Sequence, residues 1–413
     1  MGQYKDLINK VLFTLSILFF YKLCTYFPLP GIDLLVIQNF FEEQKNTMFG
    51  MANLFSGGAI ERMSFVAIGV MPYITAAILM ELFAHFDKNL GALKKEKDGM
   101  IEFIQKTRYL TVIIATFQAI GVTYGVSQMG ENVINIDVVQ FMSFAVPMMV
   151  LGTMLLMWLG EQITAYGIGN GISLIIFTAI VSSIPGGLVN TLGLVDNGTL
   201  NFIVLLVILA IIVITMIFII FIEKAERRLP LQYTSSEMKG NFLPIKLNLT
   251  NVIPAIFAGA LISIPATFGV FFKDVSYLNF FNDLFAPGSW TYHFITFILI
   301  FFFALLYSKI SFKVKDVSAN LNNSGAFIPG IRPGEHTEEF LSKIVKRISV
   351  FSGIYLGFIA TIPWIVMQQL GAPFYFGGIV TLVVIQVVFD FVSKLSNELK
   401  TIKSKENEEN TFF

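Results

Sequence analysis

Side chains able to do covalent chemistry are few in this chain, and they are scattered. The histidines, His85, His293 and His336, form no His-Glu-x-x-His pair, and no Gly-x-x-x-x-Gly-Lys-Ser/Thr loop is present to cradle nucleotide phosphates. The single cysteine, Cys24, sits in an apolar run, reads as a small buried or lipid-facing residue, and has no partner for an intrachain disulfide. The sequence therefore predicts no enzyme and no cofactor or metal site, and ATP hydrolysis, if it is needed, must come from a partner. Glu81, Glu161, Glu223 and Asp390 fall near the ends of apolar runs, which leaves no charge in their middles to couple to an ion gradient. His293 could relay a proton, but at the edge of a run an interfacial residue is the better reading. What the runs do hold at helical spacing is aliphatic: Val70 with Ile74, and Ile176 with Ile180, each pair on one helix face. Such pairs suit ordinary helix packing, and equally a hydrophobic constriction that excludes water yet yields to something larger. Spacing leaves both readings open.

The elements that must position these residues are membrane spans. Hydrophobic residues make up 55% of the 413 positions, charged residues 14%, and the mean hydropathy is +0.72, against about 25% charged in a soluble domain. A formal net charge of +0 gives no basic character of the kind that binds nucleic acid. Charge-poor runs fall near Val11 to Phe27, Phe65 to Phe83, Tyr109 to Val126, Phe141 to Leu159 and Ile172 to Val189. They resume near Phe202 to Ile222, Val252 to Phe272, Phe294 to Ile310, Ile348 to Met367 and Phe376 to Phe391. The expected fold is an all-α integral membrane protein of about ten helices at bilayer length. The first run lacks a small-residue cleavage site and reads as a retained span.

Basic residues collect on one side of this register. Lys88, Lys94, Lys95, Lys97, Lys106 and Arg108 share it with Lys224, Arg227 and Arg228, with Lys313, Lys315, Arg332, Lys346 and Arg347, and with the C-terminal lysines. The positive-inside rule then places both termini in the cytoplasm of a plasma-membrane protein. Two connections on that side, Glu223 to Asn251 and Ser311 to Arg347, are longer than helix links need and are expected to bind something. A cut near Val195 leaves five spans on each side, so residues 1–195 and 196–393 are expected to be halves of opposite topology with the working site between them. The 394–413 tail reads as a solvated, partly disordered cytoplasmic end. The stretch Met48 to Ile74 is apolar but broken at Gly57-Gly58 and charged at Glu61 and Arg62, so its first part is too short to span and must fold back.

Longer motifs narrow the reading. FPLPGID (Phe27 to Asp33), LFSGGAIER (Leu54 to Arg62), MPYI (Met71 to Ile74), WLGEQIT with GIGNGIS (Trp158 to Ser173), ERRLP (Glu226 to Pro230), VIPAIFA (Val252 to Ala258), SGAFIPGIRPGE (Ser324 to Glu335) and PFYFGG (Pro373 to Gly378) follow in that order. Over nearly its whole length the chain closely resembles the SecY family of protein-conducting channels. The resemblance implies a clam-like pair of five-helix halves passing unfolded secretory polypeptide across the bilayer. A SecA-type motor ATPase, a SecE-like and a SecG-like small membrane subunit, or accessory Sec proteins, would be its partners.

Carried onto this sequence, the resemblance makes Val70, Ile74, Ile176, Ile180, Ile256 and Val383 the pore ring, which turns the aliphatic pairs from packing into a seal. The plug falls on Met51, Ala52, Asn53, Leu54, Phe55, Ser56, Gly57, Gly58, Ala59 and Ile60. There the glycine pair serves either a moving segment or a static tight turn. Gln118 marks the lateral gate, with the helix after the plug and the spans beginning near Val252 and Phe294. Arg332, with Arg227 and Arg228, would engage the motor, the Arg332 guanidinium taking a carboxylate bidentately. The connection Thr234 to Lys246 is short and lacks the basic cluster common at this tip. That points to an accessory channel of a Gram-positive bacterium exporting serine-rich glycosylated surface proteins, the alternative being a housekeeping channel for general secretion and membrane-protein insertion. An ion-coupled small-molecule transporter is the more distant rival.

Overall fold

The computed structural model describes residues 2–43, 53, 56–94, 96–127, 133–198, 200–233, 242–259, 261–262, 284, 289–370 and 378–411. Its helices are α1 (Gly2–Cys24), α2 (Leu34–Glu43), α3 (Met71–Phe86), α4 (Lys88–Leu93), α5 (Lys97–Ser127), α6 (Val138–Tyr166), α7 (Gly171–Asp196) and α8 (Phe202–Lys224). After strands β1 (Glu226–Pro230), β2 (Gln232–Tyr233) and β3 (Phe242–Lys246) and a helical segment at 253–259 come α9 (Trp290–Ser311), α10 (Val314–Asn323), β4 (Ala326–Phe327), α11 (Glu335–Gln369) and α12 (Gly378–Thr411). Eight of these helices are long and apolar enough to cross a membrane, and they match eight of the ten expected runs.

α8 shows why such segments leave water. It carries no charge before Glu223, Asn201 caps it by accepting from the Ile203 N–H at 3.0 Å, and Ile203, Leu206, Ile214, Ile217 and Phe221 all remain exposed. A helix apolar on every face and bare on most of them is solvated by lipid. Buried threonines in the other spans, such as Thr111, Thr123 and Thr296, donate their hydroxyls back to carbonyls of the preceding turn, so these hydroxyls are satisfied within their own helix.

The remaining two runs differ from expectation. The second becomes helical only at Met71, because residues 59–70 are spent in turns that include Met63 at φ +40 and Gly69 at φ +66. Val70 is thus the residue capping α3 rather than one inside it, though the Ile74 N–H still donates to its carbonyl at 3.1 Å. The seventh run is helical at 253–259, and most of it lies outside the described residues. The tail, expected to be solvated and partly disordered, continues α12 to Thr411, and Lys10 of α1 pairs with Glu398 on it at 2.9 Å.

Two of the motifs are architectural. In FPLPGID, the Leu29 N–H donates to Met63 O at 2.8 Å and the Asp33 N–H to Val133 O at 3.0 Å, so this turn clasps the end of α1 to the residues leading into α3 and α6. In WLGEQIT-GIGNGIS, α6 and α7 meet so closely that a Cβ on Gly171 would overlap the Gly160 carbonyl, and Asn170 caps α7 by accepting from the Ser173 N–H at 3.2 Å. This corner closes only with glycine there.

The two long connections fold together rather than separately. β1 pairs antiparallel with β3, and β2 from the first connection pairs with β4 from the second, Gln232 opposite Phe327 and Tyr233 opposite Ala326. Leu229 and Ile245 of the ribbon, Ile328 of the second connection, and Leu341, Ile344 and Ile348 of α11 share one buried apolar cluster beneath them. The result is a single platform on one face of the bundle.

Candidate functional site

The six residues of the expected ring come from four separate elements, and the fold places five of them in, and Ile256 against, the large apolar core that runs through the bundle. Val70 and Ile74 lie at the start of α3, Ile176 and Ile180 on α7, Ile256 on the 253–259 segment and Val383 on α12. Five of them are at most 9% exposed, and Ile180 and Val383 only 1%. Every member is aliphatic. Contacts of this kind are held by dispersion and water exclusion alone and can be remade around a different shape. A cleft of about 300 Å³ opens next to the ring, lined by Tyr73, Glu161, Thr164, Ala165, Asn170 and Ile172. Its carboxylate is paired, Arg108 Nη2 lying 2.6 Å from Glu161 Oε2.

Of the expected plug, Met51, Ala52, Leu54 and Phe55 lie outside the described residues; Asn53 and 56–60 form a knot beside the ring. Gly57 at φ +70 and Gly58 at φ +81 occupy the left-handed region, so the glycine pair makes a tight turn here. Asn53 bridges it: its carbonyl accepts from the Gly58 N–H at 2.9 Å, and its side chain donates to Glu61 Oε2 at 2.7 Å while accepting from the Glu61 N–H at 3.1 Å. Glu61 is therefore used within the turn. Arg62 lies 3.6 Å from it and 4.3 Å over the Tyr26 ring.

The knot is seated by residues that the sequence reading passed over. Tyr21 donates its hydroxyl to Ser56 O at 3.2 Å, and Lys22 donates to both Gly57 O at 2.8 Å and Ser182 Oγ at 3.0 Å. Gly57 lies directly on α7, where an added Cβ would stand 3.1 Å from Ala179 Cα, between ring residues Ile176 and Ile180. The overlooked signal was Lys22 itself: a cation inside an apolar run must find partners, and its partners are the Gly57 carbonyl and the Ser182 hydroxyl on α7.

Gln118 is half buried on α5, a helix that packs along α3. Across from them the 253–259 segment meets α9 through Phe257, edge-on to Phe303 at 5.7 Å and to Tyr307 at 5.9 Å. His293 stands in the first turn of α9. It is 6% exposed, its ring 4.3 Å from that of Trp364, because α9 and α11 close over it.

On the platform the three arginines do not share a surface. Arg228 pairs with Glu226 at 2.7 Å and stacks on Phe242 at 4.7 Å, whereas Arg227, its neighbour on the strand, projects from the opposite face of the ribbon. Arg332 is exposed, in a loop whose backbone is fixed: Thr337 Oγ1 donates to Arg332 O at 3.0 Å, Ser318 Oγ to Gly334 O at 3.1 Å, and Gly330 and Gly334 take positive φ. Among the described residues its guanidinium has no acidic partner, so a rigid turn offers a free bidentate donor.

With this geometry in view, the comparisons with known proteins agree. A family model described as SecY matches residues 64–392. The chain is 42% identical over 411 residues to the protein translocase subunit SecY of Helicobacter pylori, covering 97% of this chain and 98% of that one. It is 36% identical to the Escherichia coli protein of the same name over 407 residues, covering 95% and 92%. The fold superposes on a solved protein-conducting channel with a TM-score of 0.69 at 18% identity, covering 94% of this chain and 92% of that one.

Proposed function

This chain belongs to the SecY family, a multi-pass plasma-membrane channel subunit of a protein translocase and not itself an enzyme, and from that premise we propose that it is the pore of general secretion and membrane-protein insertion. The accessory subtype rested on the connection from Thr234 to Lys246, of which 234–241 lies outside the described residues. Relatives matched along almost the whole chain carry the general name, which favours the alternative reading.

In this reading the ring of Val70, Ile74, Ile176, Ile180, Ile256 and Val383 is the seal, and residues 51–60 are the plug. The gate to lipid lies between the α3–α5 pair, with Gln118, and the segment 253–259 with α9. Residues 1–195 and 196–393 are its two halves, and 394–413 extends into the cytoplasm with both termini. A SecA-type motor docks on the platform through Arg332 and Arg227, while Arg228 holds the ribbon. A SecE-like small subunit brackets the halves, and a SecG-like one joins at the lipid-facing surface.

The observation that carries this is the seating of the glycine turn on Ala179, beside Ile176 and Ile180 in the apolar core that also holds Val70, Ile74 and Val383. An ordinary packed core has no need of a reversed, left-handed turn latched by a lysine. A secretory chain stalled in transit should crosslink to probes at positions 74, 180 and 256 together; contact at none of them would remove the pore assignment. Depleting the protein should halt bulk secretion and growth, and survival with loss of one surface protein would restore the accessory reading.

A further inference from the structure

Between the platform and the pore ring runs a single stretch of backbone, residues 247–252, and it is locked. The Leu247 N–H donates to Ala225 O at 3.0 Å, continuing the β1–β3 ladder beyond its last pair. Asn248, 1% exposed, then uses both ends of its carboxamide. Nδ2 donates to Glu223 Oε1 at 2.6 Å and to Asn251 O at 3.2 Å. Oδ1 accepts from Ser352 Oγ at 2.7 Å, from the Thr250 N–H at 3.3 Å and from Thr250 Oγ1 at 3.2 Å. Thr250 and Ser352 are themselves fully buried, and their hydroxyls lie 3.3 Å apart.

This one amide therefore joins the end of α8, the exit of the docking ribbon, the entry of the 253–259 segment and the middle of α11. It also secures Asn251, a non-glycine residue at φ +53, by holding its carbonyl. Four residues beyond Asn251–Val252 is Ile256 of the ring, and beside it Phe257 faces α9. A loose linker here would dissipate any displacement of the ribbon. A linker pinned at Asn251 O, Thr250 and Ser352 by one buried side chain transmits it, because moving either part alone strands acceptors in an apolar surrounding.

We propose that Asn248 is a positioning residue that makes the docking ribbon and the ring-bearing 253–259 segment move as one body, so that a partner pressing on the platform shifts Ile256. The proposal rests on the docking and ring assignments above. It goes beyond them in separating the binding of the motor from its effect on the seal.

The test uses the full chain in proteoliposomes with its small membrane subunit and a SecA-type motor, measuring motor affinity and motor-driven precursor translocation side by side. In Asn248→Asp the donors are lost and a carboxylate faces Glu223, so translocation should fall about tenfold or more while motor affinity stays within about twofold. Adding Glu223→Gln to Asn248→Asp reverses the direction of that hydrogen bond and should recover part of the loss. Ser352→Ala, a milder change that removes one donor, should show the same split at smaller amplitude and guards against misfolding of the first variant. Affinity and translocation falling in proportion, in both Asn248→Asp and Ser352→Ala, would reduce Asn248 to a folding role and overturn the proposal. So would translocation equal to wild type in Asn248→Asp. If the wild-type chain itself gives no motor-driven translocation, the functional reading fails first, and that result is distinct from either.

Discussion

The seal and the platform are built on opposite principles. The seal proposed above draws on six aliphatic side chains from elements far apart in the chain, all in or against one apolar core. The platform is a paired ribbon with glycine turns, pinned carbonyls and exposed guanidinium groups. The difference follows from what each must meet. A passing polypeptide presents every side chain in turn, and single dispersion contacts of about 0.1–0.2 kcal/mol can be broken and remade around each. A buried polar ring would leave groups unsatisfied at about 1–3 kcal/mol apiece whenever the chain moved. A docking partner is one surface, and against it a rigid arrangement loses least entropy on binding.

The contrast is broken most completely at Arg332. Arg332→Glu replaces the free donor on its rigid turn with an acceptor of opposite charge, so motor-driven translocation into vesicles should drop to background while the amount of chain inserted in the membrane is unchanged. Wild-type export by that variant would remove the docking role. A smaller effect is expected at the seam between plug and seal. Gly57→Val forces a β-branched residue to φ +70 against Ala179, where the left-handed conformation alone costs about 1–2 kcal/mol. Resting channels should then conduct ions while still exporting protein, and single-channel recordings as tight as wild type would mean that the turn does not contribute to closure. The smallest effect is expected inside the ring. Ile180→Ala empties part of a site that is 1% exposed, and large-to-small core changes cost about 2–5 kcal/mol before neighbours relax. Because the surrounding aliphatics are free to close in, thermal unfolding in detergent should shift down while the leak stays below that of Gly57→Val. A larger leak would show that the ring, rather than the plug, carries most of the barrier.

The membrane class, eight of the spans and the family were legible in apolar run length and in ordered motifs, because a lipid-solvated helix is specified almost locally. α8 and the Asn170-capped start of α7 are examples. Where partners far apart in sequence decide, the reading failed or stayed open. The late start of α3 depends on the FPLPGID clasp reaching Met63. The helical tail extends a span whose polar end pairs with Lys10. The two long connections read as separate binding loops because a pair as short as Gln232 with Phe327 leaves no pattern in either segment. Arg227 and Arg228 looked equivalent until strand alternation sent them to opposite faces.

By itself, then, the sequence determined that the chain lives in a bilayer and located the eight described helices long and apolar enough to span it. Those are properties of local composition, set by the cost of placing charge and bare backbone in hydrocarbon. Only the tertiary structure decided that Val70, Ile74, Ile176, Ile180 and Val383, from remote parts of the chain, share one buried apolar core, that Lys22 and Tyr21 hold the Gly57 turn against Ala179, and that Asn248 ties the platform to the segment bearing Ile256. Hydrogen bonds and packing join residues by position in space, and that position exists only once the chain has folded.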